Sequence, residues 1–164
     1  DGVDLTIRRG EALGLVGESG SGKTMIALSC LRLVPPPGRV TGLLRVNGHE
    51  LLQLDETELC ALRGRDVGMV FQNPMTAFNP VRTIGDQLQA AWLRHHAGGT
   101  RADARRHAVD ALRDVGIAAP ERRVDAYPHE MSGGMLQRCL IALAIVNGPA
   151  LIVADEPTTA LDAT

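Results

Sequence analysis

Aromatic residues are scarce in this 164-residue chain: one Trp, one Tyr and two Phe. A platform for stacking nucleic-acid bases needs aromatic faces, so this scarcity argues against one. A strong excess of charge of one sign is missing too. The formal net charge is −2, which gives no sign of a polyanion-binding surface. Cysteines are few: Cys30, Cys60 and Cys139 are widely spaced and form no C-x-x-C pair. They read as buried, reduced thiols of a cytosolic protein. No apolar run is long enough to span a bilayer, and no signal peptide opens the chain. If the chain serves transport, its membrane part is a different chain. There is no internal repeat and no low-complexity tract. Hydrophobic residues at 45% and this length leave room for one compact domain with a sizeable core.

What the chain does carry is periodicity with clear punctuation. Val3, Leu5 and Ile7 alternate with polar residues, the pattern of a half-buried strand, and Arg8-Arg-Gly-Glu11 turns the chain. Residues 12–16 are a continuous apolar run, predicted as a buried strand leading into a glycine-rich loop. Residues 22–34 read as a helix, stopped by Pro35-Pro-Pro-Gly38. Residues 40–46 read as a strand, with Asn47-Gly48 as a hairpin-type turn. Asp55 and Glu58 have capping-box spacing. Residues 67–71 are a short strand that delivers Gln72. From residue 73 to about 130 strand signals are few. Residues 83–96 and 101–115 look helical, the second with Ala108, Leu112 and Val115 on one face, and Gly98-Gly99 separates the two. Ser132 caps a further helix that Gly148-Pro149 ends, and residues 150–154 form the last strand. Asp1 falls inside a strand–turn–strand pattern and Thr164 follows closely on Asp155-Glu156. The chain therefore reads as a fragment of a longer domain.

Four segments carry chemistry. Gly17-Glu18-Ser19-Gly20-Ser21-Gly22-Lys23-Thr24 fits G-x-x-x-x-G-K-[ST] at every fixed position. Glycines let backbone N–H groups converge on phosphate, and the following helix adds its positive N-terminal end. Lys23 supplies a full charge to the β- and γ-phosphates, and the Thr24 hydroxyl suits Mg²⁺. The plainer alternative is a glycine-rich turn with an exposed lysine. The apolar run before it and the helix after it favour phosphate binding. Asp155 and Glu156 end an apolar strand, where a carboxylate pair is costly to desolvate unless a cation is near. Asp155 suits Mg²⁺, and Glu156 suits orienting and deprotonating an attacking water. An ordinary acidic strand-to-loop junction is the alternative. Ser132-Gly133-Gly134 sets a hydroxyl and N–H groups at a helix start, a second anion site, or simply a capped helix. Gln72 after Phe71 means little alone. His95-His96 are adjacent and share no helix face, so they read as a solvated loop end. His129, after Tyr127-Pro128, reads as structural.

In their order along the chain (the loop of residues 17–24, Phe71-Gln72, residues 132–138, then residues 151–156) the segments resemble the nucleotide-binding domain of ATP-binding-cassette (ABC) transporters, over essentially the whole chain. The resemblance implies an α/β fold: a P-loop NTPase core of ABC type with an inserted helical subdomain and an N-terminal antiparallel β portion. Residues 1–72 and 150–164 would form the core and 73–149 the helical subdomain with its signature helix. It implies ATP and Mg²⁺ as cofactors, Gln72 as the Q-loop glutamine that touches Mg²⁺ or the water, and Leu161-Asp162 as the D-loop facing a second subunit. The Ser132-Gly133-Gly134 signature would close over the γ-phosphate held by that subunit. Asn73-Pro-Met-Thr-Ala-Phe-Asn-Pro80 and Tyr127-Pro-His-Glu-Met-Ser-Gly-Gly-Met-Leu-Gln-Arg138, with Met135 where Gln is usual, look like the oligopeptide, dipeptide and nickel importer ATPases.

The resemblance therefore implies an ATP-hydrolysing importer subunit, peripheral on the cytoplasmic face of the inner membrane. Its partners would be a second ABC ATPase subunit, integral permease subunits and, indirectly, an extracytoplasmic solute-binding protein, with no nucleic acid. The family's adenine-stacking aromatic and switch histidine lie outside the chain, so the fragment alone is expected to turn over poorly. A soluble ABC-type ATPase of DNA repair or translation is the alternative, but the insert is short and shows no heptads. A non-hydrolysing module is another, against which Glu156 stands. Residues 72–92 are expected to meet the membrane subunits. Phe71, Phe78 and Trp92 would either anchor that contact or pack inside the subdomain.

Overall fold

The computed structural model describes residues 2–157 of the chain. Side-chain caps open most of its longer helices. Asp55 and Glu58 close a reciprocal capping box at the start of α2 (Glu56–Leu62). Thr83 accepts from the Asp86 N–H ahead of α4 (Ile84–Leu93). Thr100 and Asp103 form a second capping box on α5 (Arg101–Asp114). Each cap satisfies an orphan N–H and is worth about 1 kcal/mol. Preceding these are α1 (Lys23–Ser29) and a small hairpin of β1 (Arg45–Val46) and β2 (His49–Glu50). The hairpin turn has φ of 48° at Asn47 and 85° at Gly48, the double left-handed geometry expected of Asn-Gly. Between α2 and α4 lie β3 (Val67–Val70) and α3 (Pro74–Ala77). After α5 come α6 (Pro120–Arg123), a 3₁₀ turn (Pro128–Glu130), α7 (Gly133–Ile145) and β4 (Leu151–Ala154).

The main core belongs to the helices. Ile84, Leu88 and Trp92 of α4 join Ala104, Ala108 and Leu112 of α5 and Leu136, Cys139 and Leu140 of α7 in one buried cluster. The alanines of α5 let its neighbours approach closely. Phe78 is 4% exposed and Trp92 6%, so both pack in this cluster rather than standing at a docking surface, while Phe71 is 42% exposed. Leu51, Leu59 and Leu62 make a small separate cluster.

β3 and β4 pair in parallel, with Val67 opposite Leu151 and Val70 opposite Ala154. Helix α7 lies hard against them: a Cβ on Gly68 would come within 2.3 Å of the Ala144 carbonyl oxygen. The pairing matters for function because both strands end at the same level. Gln72 and the Asp155-Glu156 pair therefore leave the sheet side by side, in the crevice beyond the carboxyl ends of parallel strands.

Several expected elements differ. Residues 3–7 and 12–16 are irregular, with Val16 95% exposed. A strand exists only where another backbone completes its ladder, and among the described residues no backbone bond pairs residues 12–16 with a neighbour. The strand expected over 40–46 is cut to the two residues of β1. The helix expected over 22–34 stops at Ser29, because Arg32 enters the left-handed region (φ 51°) and the Leu33 N–H turns back to the Leu28 carbonyl at 2.9 Å. His96 is more than a solvated loop end: its ring stacks on the Trp92 indole at 4.1 Å, as does His107 at 4.6 Å. Among the described residues no cluster of His, Cys, Asp or Glu is set to bind a metal. No helix there is long and apolar enough to cross a membrane.

Candidate nucleotide site

The glycine-rich loop turns through left-handed backbone at Gly20 (φ 81°) and Gly22 (φ 97°), the residue that opens α1. A side chain at either would be strained there. At Gly17 space is short as well, since a Cβ would meet the Ser21 hydroxyl at 2.9 Å. Lys23 folds back over the loop. Its Nζ donates to the Gly17 and Glu18 carbonyls, each at 2.7 Å. A lysine held by neutral carbonyls can be exchanged onto phosphate oxygens, which pair more strongly with its charge.

Across the crevice, the Thr24 hydroxyl donates to Asp155 Oδ1 at 3.2 Å, joining residues 131 apart in the chain. The Gln72 amide Nε2 donates to Glu156 Oε2 at 2.6 Å. Glu156 itself sits at φ 47°, a left-handed conformation that costs a non-glycine residue about 1–2 kcal/mol and is concentrated at functional sites. A cavity of about 280 Å³ is lined by Ser19, Gly20, Gly22, Lys23, Thr24, Met25, Gln72 and Glu156, and Asp155 is tied to it through Thr24. No sequence motif includes Met25. The signal available is its place one residue past Thr24, on the first turn of α1.

Ser132, Gly133 and Gly134 stand apart from this cavity. Ser132 and Gly133 are exposed at the start of α7, and the Ser132 Oγ accepts the Met135 N–H at 3.3 Å. The structure thus brings together the glycine-rich loop, Gln72 and the acidic pair, and leaves Ser132 and Gly133 at the surface. Leu161-Asp162 lie outside the described residues. The thiols take no part. Burial pushes the Cys139 thiol up to about 12 and raises that of Cys30, so neither is poised to react.

At the other end of β3, before its first residue, Asp66 is a buried carboxylate that ties the hairpin turn to the strand. It accepts from the Asn47 amide and from Arg65, each at 2.7 Å. Desolvation works to raise its pKa, but these two partners outweigh it and hold the carboxyl below its ordinary value.

The family model described as ABC transporter matches residues 1–159. The chain is 47% identical to the dipeptide transport ATP-binding protein DppD of Escherichia coli (strain K12), covering 100% of this chain and 50% of that protein. It is also 47% identical to the oligopeptide transport ATP-binding protein OppD of Mycobacterium tuberculosis, covering 99% of this chain and 27% of that one. The chain thus spans half or less of the length of these relatives. A solved dimeric post-hydrolysis ATP-binding cassette, MJ0796 bound to ADP and Pi, superposes with a TM-score of 0.85 at 31% identity, covering 98% of this chain and 67% of that one. The fold is therefore that of an ABC cassette, a P-loop NTPase with mixed helix and sheet and a small antiparallel β element. On the family match and these relatives together, the chain belongs to the ABC transporter family.

Proposed function

We propose that this chain is the ATP-binding and ATP-hydrolysing part of an ABC importer subunit for peptides. The observation that carries the reading is the convergence of Lys23, Thr24, Asp155, Gln72 and Glu156 on one crevice from three separate stretches of chain. The loop N–H groups would cradle the ATP phosphates, and Lys23 would leave the Gly17 and Glu18 carbonyls for the β- and γ-phosphates. The oxygen donors Thr24, Asp155 and Gln72 fit a hard divalent cation such as Mg²⁺. Thr24 and Asp155 already lie within hydrogen-bond distance of each other. When bound there, Mg²⁺ supplies neutralisation of the β- and γ-phosphate charge. Glu156 is the base: its carboxylate orients the attacking water and takes its proton. Gln72 holds that carboxylate through its amide N–H.

Ser132-Gly133-Gly134, away from the cavity and with Ser132 and Gly133 exposed, are suited to a nucleotide bound by a second ATPase subunit. The division into a core of residues 1–72 and 150–164 and a helical subdomain of 73–149 follows from the same reading. The subunit would sit on the cytoplasmic face of the inner membrane, against permease subunits served by a solute-binding protein. Met75 and Val81, 62% and 79% exposed, suit the permease contact better than buried Phe78. Peptide is preferred as solute because the relatives are dipeptide and oligopeptide transport proteins. No residue singled out in the sequence chooses peptide over nickel. Equilibrium titration of the full-length protein with Mg-ATP tests the reading. Tight binding is expected for the parent and its loss for Lys23→Ala, and equal affinities for the two would remove the loop as the site.

A further inference from the structure

Helix α1 is seven residues long, and its first turn carries both Lys23 and Thr24. So short a helix has little stability of its own, and only Ala27 within it is buried. Its far end is gripped from another element. Arg63, the residue that ends α2, donates Nε to the Leu31 carbonyl at 2.9 Å and Nη2 to the Arg32 carbonyl at 3.5 Å. Leu31 and Arg32 follow α1 directly, so the guanidinium fastens the turn by which the chain leaves the helix, and its positive charge lies near the negative end of the helix dipole. Arg32, bent into the left-handed region, fastens the same exit onward, donating to the Leu51 and Leu54 carbonyls at 3.1 and 2.6 Å.

The main chain of Arg63 has its own attachment. It bridges to Val67 at the head of β3, the strand that leads to Gln72. The next residue, Gly64, lies against His95, just beyond α4: a Cβ on it would meet the His95 Nε2 at 3.3 Å. Glu56 pairs with the outer face of the guanidinium and is itself exposed. Arg63 is therefore a joint between the phosphate-loop helix and the Gln72 strand. None of the four sequence motifs includes it.

We infer that Arg63 is a positioning residue for the nucleotide site. By holding the exit of α1 it sets where Lys23 and Thr24 stand relative to Asp155 and Gln72. The inference rests on the ATP-binding reading above. The test is made in the full-length protein with Arg63→Met, which keeps the aliphatic stem and removes every donor, and Arg63→Lys, which keeps the charge but not the fork that spans two carbonyls. Glu56→Gln is the control, because it removes the outer ion pair and leaves both carbonyl bonds.

Arg63→Met is expected to weaken Mg-ATP binding on the order of tenfold, the scale of losing charge-assisted bonds. It should also raise the Mg²⁺ concentration needed for half-maximal hydrolysis, since Thr24 would no longer be held beside Asp155. At saturating ATP and Mg²⁺ its kcat should fall far less. Arg63→Lys should recover part of the affinity, and Glu56→Gln should match the parent. A purely structural role would lower thermal stability without moving the Mg²⁺ requirement. Parental affinity and Mg²⁺ requirement in a folded Arg63→Met or Arg63→Lys protein would overturn the inference. Loss of cooperative unfolding in both variants would overturn it too, by making Arg63 a requirement of the fold. If the parent itself fails to bind Mg-ATP, the functional reading fails first.

Discussion

The stretch of helices between residues 74 and 146 and the nucleotide-facing part of the chain solve their packing problems differently. The helices bury a continuous apolar cluster among themselves, with Ile84, Leu88, Ala104, Ala108, Leu112 and Val124 fully inaccessible. Each satisfies its own backbone; α4 packs on its chain neighbour α5, and α7, later in the chain, closes the cluster against α3, α4 and α5. The nucleotide-facing part has the small Leu51, Leu59 and Leu62 cluster, one pair of parallel strands and an irregular stretch at residues 12–16. Its order comes from polar side chains that reach far along the chain: Thr24 to Asp155, Gln72 to Glu156, and Arg63 to Leu31. One region is held by burial and the other by placement of charge and hydrogen bonds. Substitutions in the first should therefore be read out as folding, and in the second as chemistry.

The hardest test of that contrast is Phe78→Asp. Truncating a buried phenylalanine costs about 3–5 kcal/mol, and an unpaired carboxylate in its place adds the penalty of desolvating a charge. Thermal unfolding should show the cooperative transition lost or lowered by well over 10 °C, on the order of 3 °C per kcal/mol for a domain of this size. A well-folded Phe78→Asp protein would break the comparison. Glu156→Gln should do the reverse. Its amide keeps the shape and cannot accept a proton, so hydrolysis should fall by about 10²–10⁴-fold while the melting temperature and Mg-ATP binding hold. Phosphate release at the parental rate would remove Glu156 as the base.

The same contrast explains what could be read from the sequence. Local devices were legible because they are encoded in a few adjacent residues: the Asn47-Gly48 turn, the Asp55–Glu58 capping box, the Ser132 cap, the apolar face of α5. The phosphate-loop pattern is local in the same way. The apolar run at residues 12–16 carried a strand preference but no information about a partner, and a preference without a ladder is not a strand. Placing Gln72 beside Glu156 depends on the register between β3 and β4, which no local pattern sets. Arg63 gave no signal at all, because its partners lie some thirty residues away. His96 could have been found. It lies four residues after Trp92, the spacing at which helical side chains meet.

Leu112→Ala sharpens the comparison from the helical side. Leu112 is inaccessible in the main cluster, and such truncations cost about 2–5 kcal/mol depending on how far the cavity collapses. Denaturant unfolding should show that loss, while the protein that remains folded binds Mg-ATP with an affinity within about twofold of the parent. A tenfold loss of affinity would mean that the helical core and the phosphate loop are not separable in this way.

The smallest effect belongs to Asp66, the buried carboxylate that ties the hairpin turn to β3. Its partners Asn47 and Arg65 hold its folded-state pKa below the ordinary carboxylate value, against the opposing push of desolvation. A group whose pKa is lowered on folding binds fewer protons folded than unfolded. Its contribution is therefore present above the ordinary carboxylate pKa of about 4 and is lost as pH falls below that through the folded value. Asp66→Asn should lower stability at neutral pH by about 1–2 kcal/mol, the scale of weakening a buried charge-assisted bond. It should also flatten the dependence of stability on pH below about 4, leaving nucleotide affinity unchanged. Chemical denaturation of parent and variant at a series of acid pH values reads both effects. If the two acid slopes coincide, Asp66 is not held as a charged group, and the hairpin is fastened to the sheet by shape rather than by charge.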